Sequence, residues 1–398
     1  MKFTWKHTLY ASYTGYITQA IVNNLAPLLF LIFQKQYDIG AAQLGLLVGF
    51  NFTVQMLVDF LAAKYASRLG YRPLIVAAHI FCGAGLVCLG ILPGLSQTVF
   101  HSAFPGLLFS VFLYALGGGL IEVLISPIVE ALPGEEKEAA MSMLHSFYCW
   151  GHMFVVLIST LFFQAFTTAA WMWLPLLWAA VPFCNALVFR KVPLRTLEEA
   201  NESAPAGLKS LFSLKLIPLF FLLMICSGAA EQAMSQWASY FAESSLGISK
   251  TLGDLMGPCM FALFMGLSRL YYGKKGSQLR LGRFILLSCA LCAGGYLLAA
   301  LSPWPILALA GCALCGFSVG IFWPGTFSLA ARHCPAGGTA MFALLALAGD
   351  IGCAAGPAAA GFLASSTGSM TPGLLFSILF PLLIAIGIFR LIRSPHLS

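Results

Sequence analysis

Charge is scarce in this chain. Asp, Glu, Lys and Arg make up 9% of its 398 residues, where a soluble globular domain carries about 25%. That scarcity excludes a soluble fold, and apolar blocks recurring from end to end leave no room for a sizeable polar domain. Catalytic signatures are missing as well. There is no His-Glu metal motif, no activated serine and no cluster of loop acids, so an enzyme is not expected. Twelve cysteines are present, but they lie almost entirely within apolar runs. The pairs Cys289–Cys292 and Cys312–Cys315 match a metal or redox spacing, yet both sit inside expected spans, without the second pair in a polar loop that a metal site uses. They read as small buried hydrophobes. No cofactor, metal or disulfide framework is expected.

What is there is hydrophobic: 60% of residues, gathered into runs of about 20, the length that crosses a bilayer. Twelve such runs fall at 8–33, 42–66, 73–93, 104–131, 139–163, 171–190, 214–242, 251–272, 282–302, 304–331, 338–365 and 371–392. The first is too long for a signal-peptide core and is expected to remain as a span. Connections are short except at 191–213, a polar Pro/Ser/Glu-bearing linker. The expectation is an all-α integral membrane protein of two six-helix bundles, 1–190 and 214–398, joined by the cytoplasmic linker 191–213.

The net charge of +7 is explained by topology, with no nucleic-acid partner expected. If the N-terminus is cytoplasmic, all of the 21 Lys and Arg except Lys35 and Lys250 fall on the cytoplasmic side, as the positive-inside rule requires. Both ends and the linker are then inside. The absence of a cleavable signal and the short loops suit a bacterial inner membrane, and a monomer is the expected state.

The halves resemble each other, as a parallel repeat would. GYITQAIVN (15–23) in span one answers GAAEQAMSQ (228–236) in span seven, Ser126-Pro127 answers Trp323-Pro324, and AAM (139–141) answers TAM (339–341). The loops after spans two and eight also correspond: AKYASRLGYR (63–72) and GLSRLYYGKK (266–275). These two loops resemble the G-x-x-x-D-R-x-G-R-R signature of the major facilitator superfamily, which occurs once per half. Here the acidic position is Ser67 and Leu270, while Gly70, Arg72, Gly273, Lys274 and Lys275 keep the glycine and cations. The resemblance implies a gating loop carried by Arg68, Gly70, Arg72, Gly273 and Lys274, with Asp59 standing in for the lost aspartate. Glycine permits a tight turn, and cations anchor it at the membrane surface.

Within the superfamily, the chain resembles the fucose permease-like sugar:proton symporters. Their span-four E-x-x-x-N-P is matched by Glu122-VLI-Ser126-Pro127, and their span-one N-N-L by Asn23-Asn24-Leu25. The family's span-one aspartate would fall on Pro27, so one of its two proton-handling carboxylates is replaced. The resemblance implies alternating-access transport of a small neutral solute with protons.

The polar residues inside spans support that reading independently. A carboxylate in hydrocarbon costs a few kcal/mol even on lenient scales, so a retained one turns inward to water or a partner. Glu122, Glu231 and Asp350 are therefore the candidates for proton coupling. Steps of four align Gln19 with Asn23 and align Asn51, Gln55 and Asp59. With Asn24, Tyr148, His152, Gln232, Gln236, Trp237 and Trp323 they supply the amides and aromatic faces that a sugar ring needs. Taken singly, each amide serves equally well as glue between helices. No Lys or Arg falls mid-span, which disfavours phosphorylated or dicarboxylate substrates. Two rivals remain: an exporter of drugs or amphipathic metabolites, favoured by the 13% aromatic content and the missing span-one aspartate, and a membrane sensor that binds solute without moving it.

Overall fold

The computed structural model describes residues 3–133, 137–195, 216–275, 280–334 and 338–393. Among them there is no strand. Eleven helices are long and apolar enough to cross a membrane: α1 (Trp5–Tyr37), α2 (Ala41–Leu61), α3 (Tyr71–Phe100), α4 (Phe104–Val129), α5 (Met143–Phe166), α7 (Ile217–Ser244), α8 (Lys250–Tyr272), α9 (Leu281–Leu301), α10 (Pro305–Ala330), α11 (Leu344–Thr367) and α12 (Thr371–Arg393). Between α5 and α7 lies the shorter apolar α6 (Trp173–Phe189). The sequence predicts α6 as an ordinary span; its helical ladder is divided at Ala179 into Trp173–Trp178 and Ala180–Phe189. Pro175 and Pro182, one in each piece, bring no backbone donor.

Contacts divide the chain into two units, Met1–Ile39 with Phe50–Ser203, and Gly40–Gly49 with Ala204–Ser398. Most of the expected linker lies outside the described residues. The same helix pairs recur in each unit. The first pairs α1 with α5, α3 with α4 and α3 with α6; the second pairs α7 with α11, α9 with α10 and α9 with α12. The internal likeness read in the sequence is thus a likeness of packing. Left-handed backbone closes matching helices too: Asp38 follows α1 as Gly247 follows α7, and Thr167 follows α5 as Gly368 follows α11.

Small residues set the closest approaches, as membrane helix pairs require. In α11, a Cβ on Gly352 would strike the Ile225 carbonyl of α7, and one on Gly356 the Ala229 carbonyl. In the first unit Gly117 of α4 is pressed against the Ala78 carbonyl of α3 in the same way.

Four of the described spans are interrupted. In α1 the regular helix ends at Asn24, a 3-10 turn holds Ala26–Leu29 with Pro27 at its start, and helix resumes at Phe30. In α8, Leu255–Cys259 form a π-helical turn containing Pro258. In α10, Gly320 and Ile321 separate Pro305–Val319 from Phe322–His333. In α12, Ile378 separates Thr371–Ser377 from Leu379–Arg393, three residues before Pro381.

The loop after α2 turns at Gly70, with φ 82°. Arg72 then donates to the carbonyls of Phe189 (2.8 Å) and Val192 (2.9 Å), satisfying acceptors that the end of α6 leaves open. Gly273 differs from its expected role as a turn. The helix runs through it to Lys275, and residues 276–279 lie outside the described residues. Nothing is described of the side chains of Arg68 and Lys274.

Candidate functional site

The first unit gathers polar side chains where α1, α2 and α4 meet, five of them joined in one hydrogen-bonded chain. α1 presents Tyr16, Gln19, Asn23 and Asn24, α2 presents Asn51, Gln55 and Asp59, and α4 presents Glu122 and Ser126. Gln19 Nε2 donates to Glu122 Oε2 at 2.9 Å and to Gln55 Oε1 at 3.1 Å. Gln55 Nε2 passes the chain on to Asn23 Oδ1 at 2.8 Å, which also accepts from Asn51 Nδ2 at 3.1 Å. Tyr16 and Ser126 hydroxyls meet at 2.9 Å. Asn24 Nδ2 bonds the Ala20 carbonyl at 2.9 Å and reaches Tyr148 OH at 3.4 Å. A carboxylate oxygen of Asp59 lies within 4.8 Å of one on Glu122. Gln19, Asn23, Asn24, Asn51 and Gln55 are all buried, whereas Glu122, Ser126, Asp59 and Tyr148 are half-buried.

Two acceptors in this network have no partner, Gln19 Oε1 and Asn51 Oδ1. A buried polar atom left unpaired is costly, so this cluster can receive hydroxyl or amine donors. Gly118 and Gly119 of α4 lie against the Gln55 side chain and backbone, which explains how α2 comes close enough for Gln55 to sit between Gln19 and Asn23. His152 is buried on α5.

The second unit carries a different arrangement. Glu231, Gln232, Gln236 and Trp237 are all buried on α7. Glu231 Oε2 pairs with Arg269 Nη2 of α8 at 3.4 Å, and its other oxygen accepts from Gln232 Nε2 at 3.3 Å. Gln236 Nε2 donates to Gln232 Oε1 at 2.9 Å. No Lys or Arg lies mid-span, yet a cation from a span end still reaches a buried carboxylate. Arg269 lies close to the end of α8, but its long side chain reaches the α7 carboxylate. Both members are largely shielded, with side-chain exposures of 16% for Arg269 and 6% for Glu231, and the pairing leaves neither charge uncompensated.

Trp237 Nε1 donates to the Pro357 carbonyl at 3.0 Å, and its ring fills the space beside Gly361. Trp323 of α10 packs against Gly349, and its Nε1 is buried without a partner, as is the Thr326 hydroxyl one turn later. Asp350 is buried on α11.

Sequence reasoning missed a second charged cluster in this unit. Asp254 is fully buried; it accepts a hydrogen bond from Ser239 and pairs with Lys250 at 3.0 Å. Lys250 also pairs with Glu243 at 3.2 Å. The signal was the four-residue step from Lys250 to Asp254 at the start of a span.

A multi-pass helical protein with amides and carboxylates buried inside its spans has the polar interior that a membrane transporter uses. The Major Facilitator Superfamily profile matches residues 13–357, and the chain belongs to that superfamily. A search of curated proteins gives no significant match. Among solved structures, a variant of the Escherichia coli fucose:proton symporter FucP aligns with a TM-score of 0.65 at 17% identity, covering 96% of this chain and 98% of that one. The nucleoside transporter NupG aligns at 0.74 and 13% identity, covering 98% and 99%. A bacterial homolog of the human lysosomal transporter Spinster, inward-facing and unoccupied, aligns at 0.74 and 14% identity, covering 98% and 97%. At these identities the likeness is one of fold. The protein is a multi-pass membrane transporter of small-molecule solutes.

Proposed function

We propose that this transporter moves a small neutral polar solute, a sugar or a molecule presenting sugar-like hydroxyls, by alternating access coupled to protons. The observation that carries the reading is Gln19, whose amide is bonded to both Glu122 and Gln55 while its own oxygen is buried and unpartnered. A solute hydroxyl donating to that oxygen joins a chain that ends on a carboxylate, so solute binding and the charge on Glu122 are linked through one side chain.

Asp59 supports the proton half of the proposal. The position where the symporter resemblance expects a span-one aspartate is Pro27, buried in the 3-10 turn of α1. A second carboxylate is supplied instead by α2, within 4.8 Å of Glu122. A proton on this pair removes repulsion between like charges, and its loading from outside and release inside form the coupling step. The remaining assignments follow: Asn23, Asn24, Asn51, Tyr148 and His152 in the first unit, and Gln232, Gln236, Trp237 and Trp323 in the second, as solute contacts; Asp350 and the paired Glu231 as further charge-handling groups. Uptake across a bacterial inner membrane, with both termini cytoplasmic, fits the distribution of cations. The partition into bundles at 1–190 and 214–398 is part of the same proposal.

The test is electrogenic uptake by protein in liposomes, challenged with neutral monosaccharides and nucleosides at two external pH values. Uptake should rise as external pH falls, because protonation loads the carrier from that side. Glu122→Gln should abolish pH-driven accumulation while solute exchange at equal pH continues. Full pH-driven accumulation by Glu122→Gln, or silence of the folded wild type across the panel, overturns the proposal.

A further inference from the structure

Outside the polar network, the second unit holds a cleft of about 600 Å³ between α9 and α12, lined by Leu286, Ala385, Ile386, Phe389, Arg390 and Arg393. We propose that this cleft binds a phospholipid with an anionic headgroup, its phosphate held by Arg390 and Arg393 and an acyl chain laid along Leu286, Ile386 and Phe389.

The floor of the cleft is apolar and its rim is cationic, and those two properties together select the occupant. Arg390 and Arg393 are both exposed. The ion pairs among the described residues are Lys250–Glu243, Lys250–Asp254 and Arg269–Glu231, so neither arginine has an acidic partner there. The Arg393 guanidinium carbon lies 4.2 Å from the centroid of the Phe389 ring. Stacking on the ring face fixes the plane of the guanidinium and leaves its N–H edges available, the geometry that meets phosphate oxygens in pairs. Arg283 adds a third cation on α9, one turn before Leu286. The mouth is held in shape because Gly282 lets α9 approach Ile392 of α12 closely.

A lipid-facing groove without cations has no preference for an anionic headgroup. A soluble phosphate has no use for the apolar floor. A phospholipid satisfies both, and basic pockets between membrane helices recognise such headgroups.

The experiment is native mass spectrometry of the full chain released from nanodiscs containing equal phosphatidylglycerol and phosphatidylethanolamine. The wild type should retain a phosphatidylglycerol adduct in preference to phosphatidylethanolamine. The Arg390→Gln/Arg393→Gln variant should lose that adduct by about tenfold or more, from the attraction of two cations to an anionic headgroup. Leu286→Trp, which narrows the apolar floor and keeps both arginines, should weaken it as well, with circular dichroism verifying that both variants are folded. Equal retention of the two lipids by the wild type overturns the proposal. Unchanged phosphatidylglycerol retention in the folded double variant does the same.

Discussion

Replacing Arg269 with Met tests whether the pair between α7 and α8 is an ionic contact shielded from solvent. At the 3.4 Å separation of Arg269 and Glu231, unit charges at an effective dielectric of 20 attract by about 5 kcal/mol. Desolvation of both groups offsets much of that gain, so the pair adds little compared with an uncharged replacement. Removing one member is another matter. Arg269→Met leaves the Glu231 carboxylate buried with only the Gln232 amide to face it, and losing one partner of such a pair costs about 3–5 kcal/mol. Glu231→Gln, which removes the guanidinium's ion-pair partner, should cost somewhat less because Arg269 is the more exposed member. The double variant carries no charge at either position and should recover most of the loss, giving a coupling energy of about 2 kcal/mol or more. The assay is equilibrium unfolding in mixed detergent micelles, followed by tryptophan fluorescence, for all four proteins of the cycle. Additive single losses, with coupling below about 0.5 kcal/mol, would refute the reasoning and place the pair among solvent-screened bridges.

Two further outcomes are expected. Gly352→Ala puts a methyl against the Ile225 carbonyl of α7; such overpacking should cost about 1–3 kcal/mol, read as a lowered thermal unfolding midpoint, with Gly294→Ala unchanged because nothing lies near that position. Gln55→Leu removes one of the two acceptors of Gln19 and one of the two donors to Asn23, leaving a buried Gln19 N–H without its acceptor at about 1–3 kcal/mol, and should weaken solute binding measured by isothermal titration more than Tyr16→Phe does.

The helical architecture was legible because a run of apolar residues has to be about 20 long to cross hydrocarbon, and length survives any error of a few residues at its ends. The stripe Asn51, Gln55, Asp59 was legible for a similar reason: a four-residue step fixes the face whatever the neighbours are. Its partners were not. That Gln19 bonds both Gln55 and Glu122 depends on how α1, α2 and α4 meet, and that depends on glycines such as Gly118 and Gly119, whose contacts no local pattern encodes. The role of Arg269 is hidden because its position near a helix end suggests a loop cation, whereas a long side chain can turn back along its helix. Asp254 has no such reach; it is buried because Ser239 of α7 packs against it, a contact that its place near a helix end does not announce. The breaks within α1 and α8 had a visible proline each, but periodicity alone does not distinguish a proline tolerated in a span from one that interrupts it.

The two helices richest in buried polar groups, α1 and α7, are also the most enclosed of the described spans. In α7, 72% of the most apolar window is buried at a mean hydropathy of 1.5, whereas in α12 only 33% is buried at 2.5. Such a distribution bears on biogenesis. A segment holding Glu231 is a poor substrate for insertion by itself, since one acidic residue at the centre of a helix costs about 2.5–3.5 kcal/mol on the translocon scale. Its counter-charge, Arg269, emerges from the ribosome one helix later. The ion pair therefore gives α7 and α8 a reason to leave the translocon together as a hairpin, so that synthesis order, as well as the finished fold, is written into where these two charges stand.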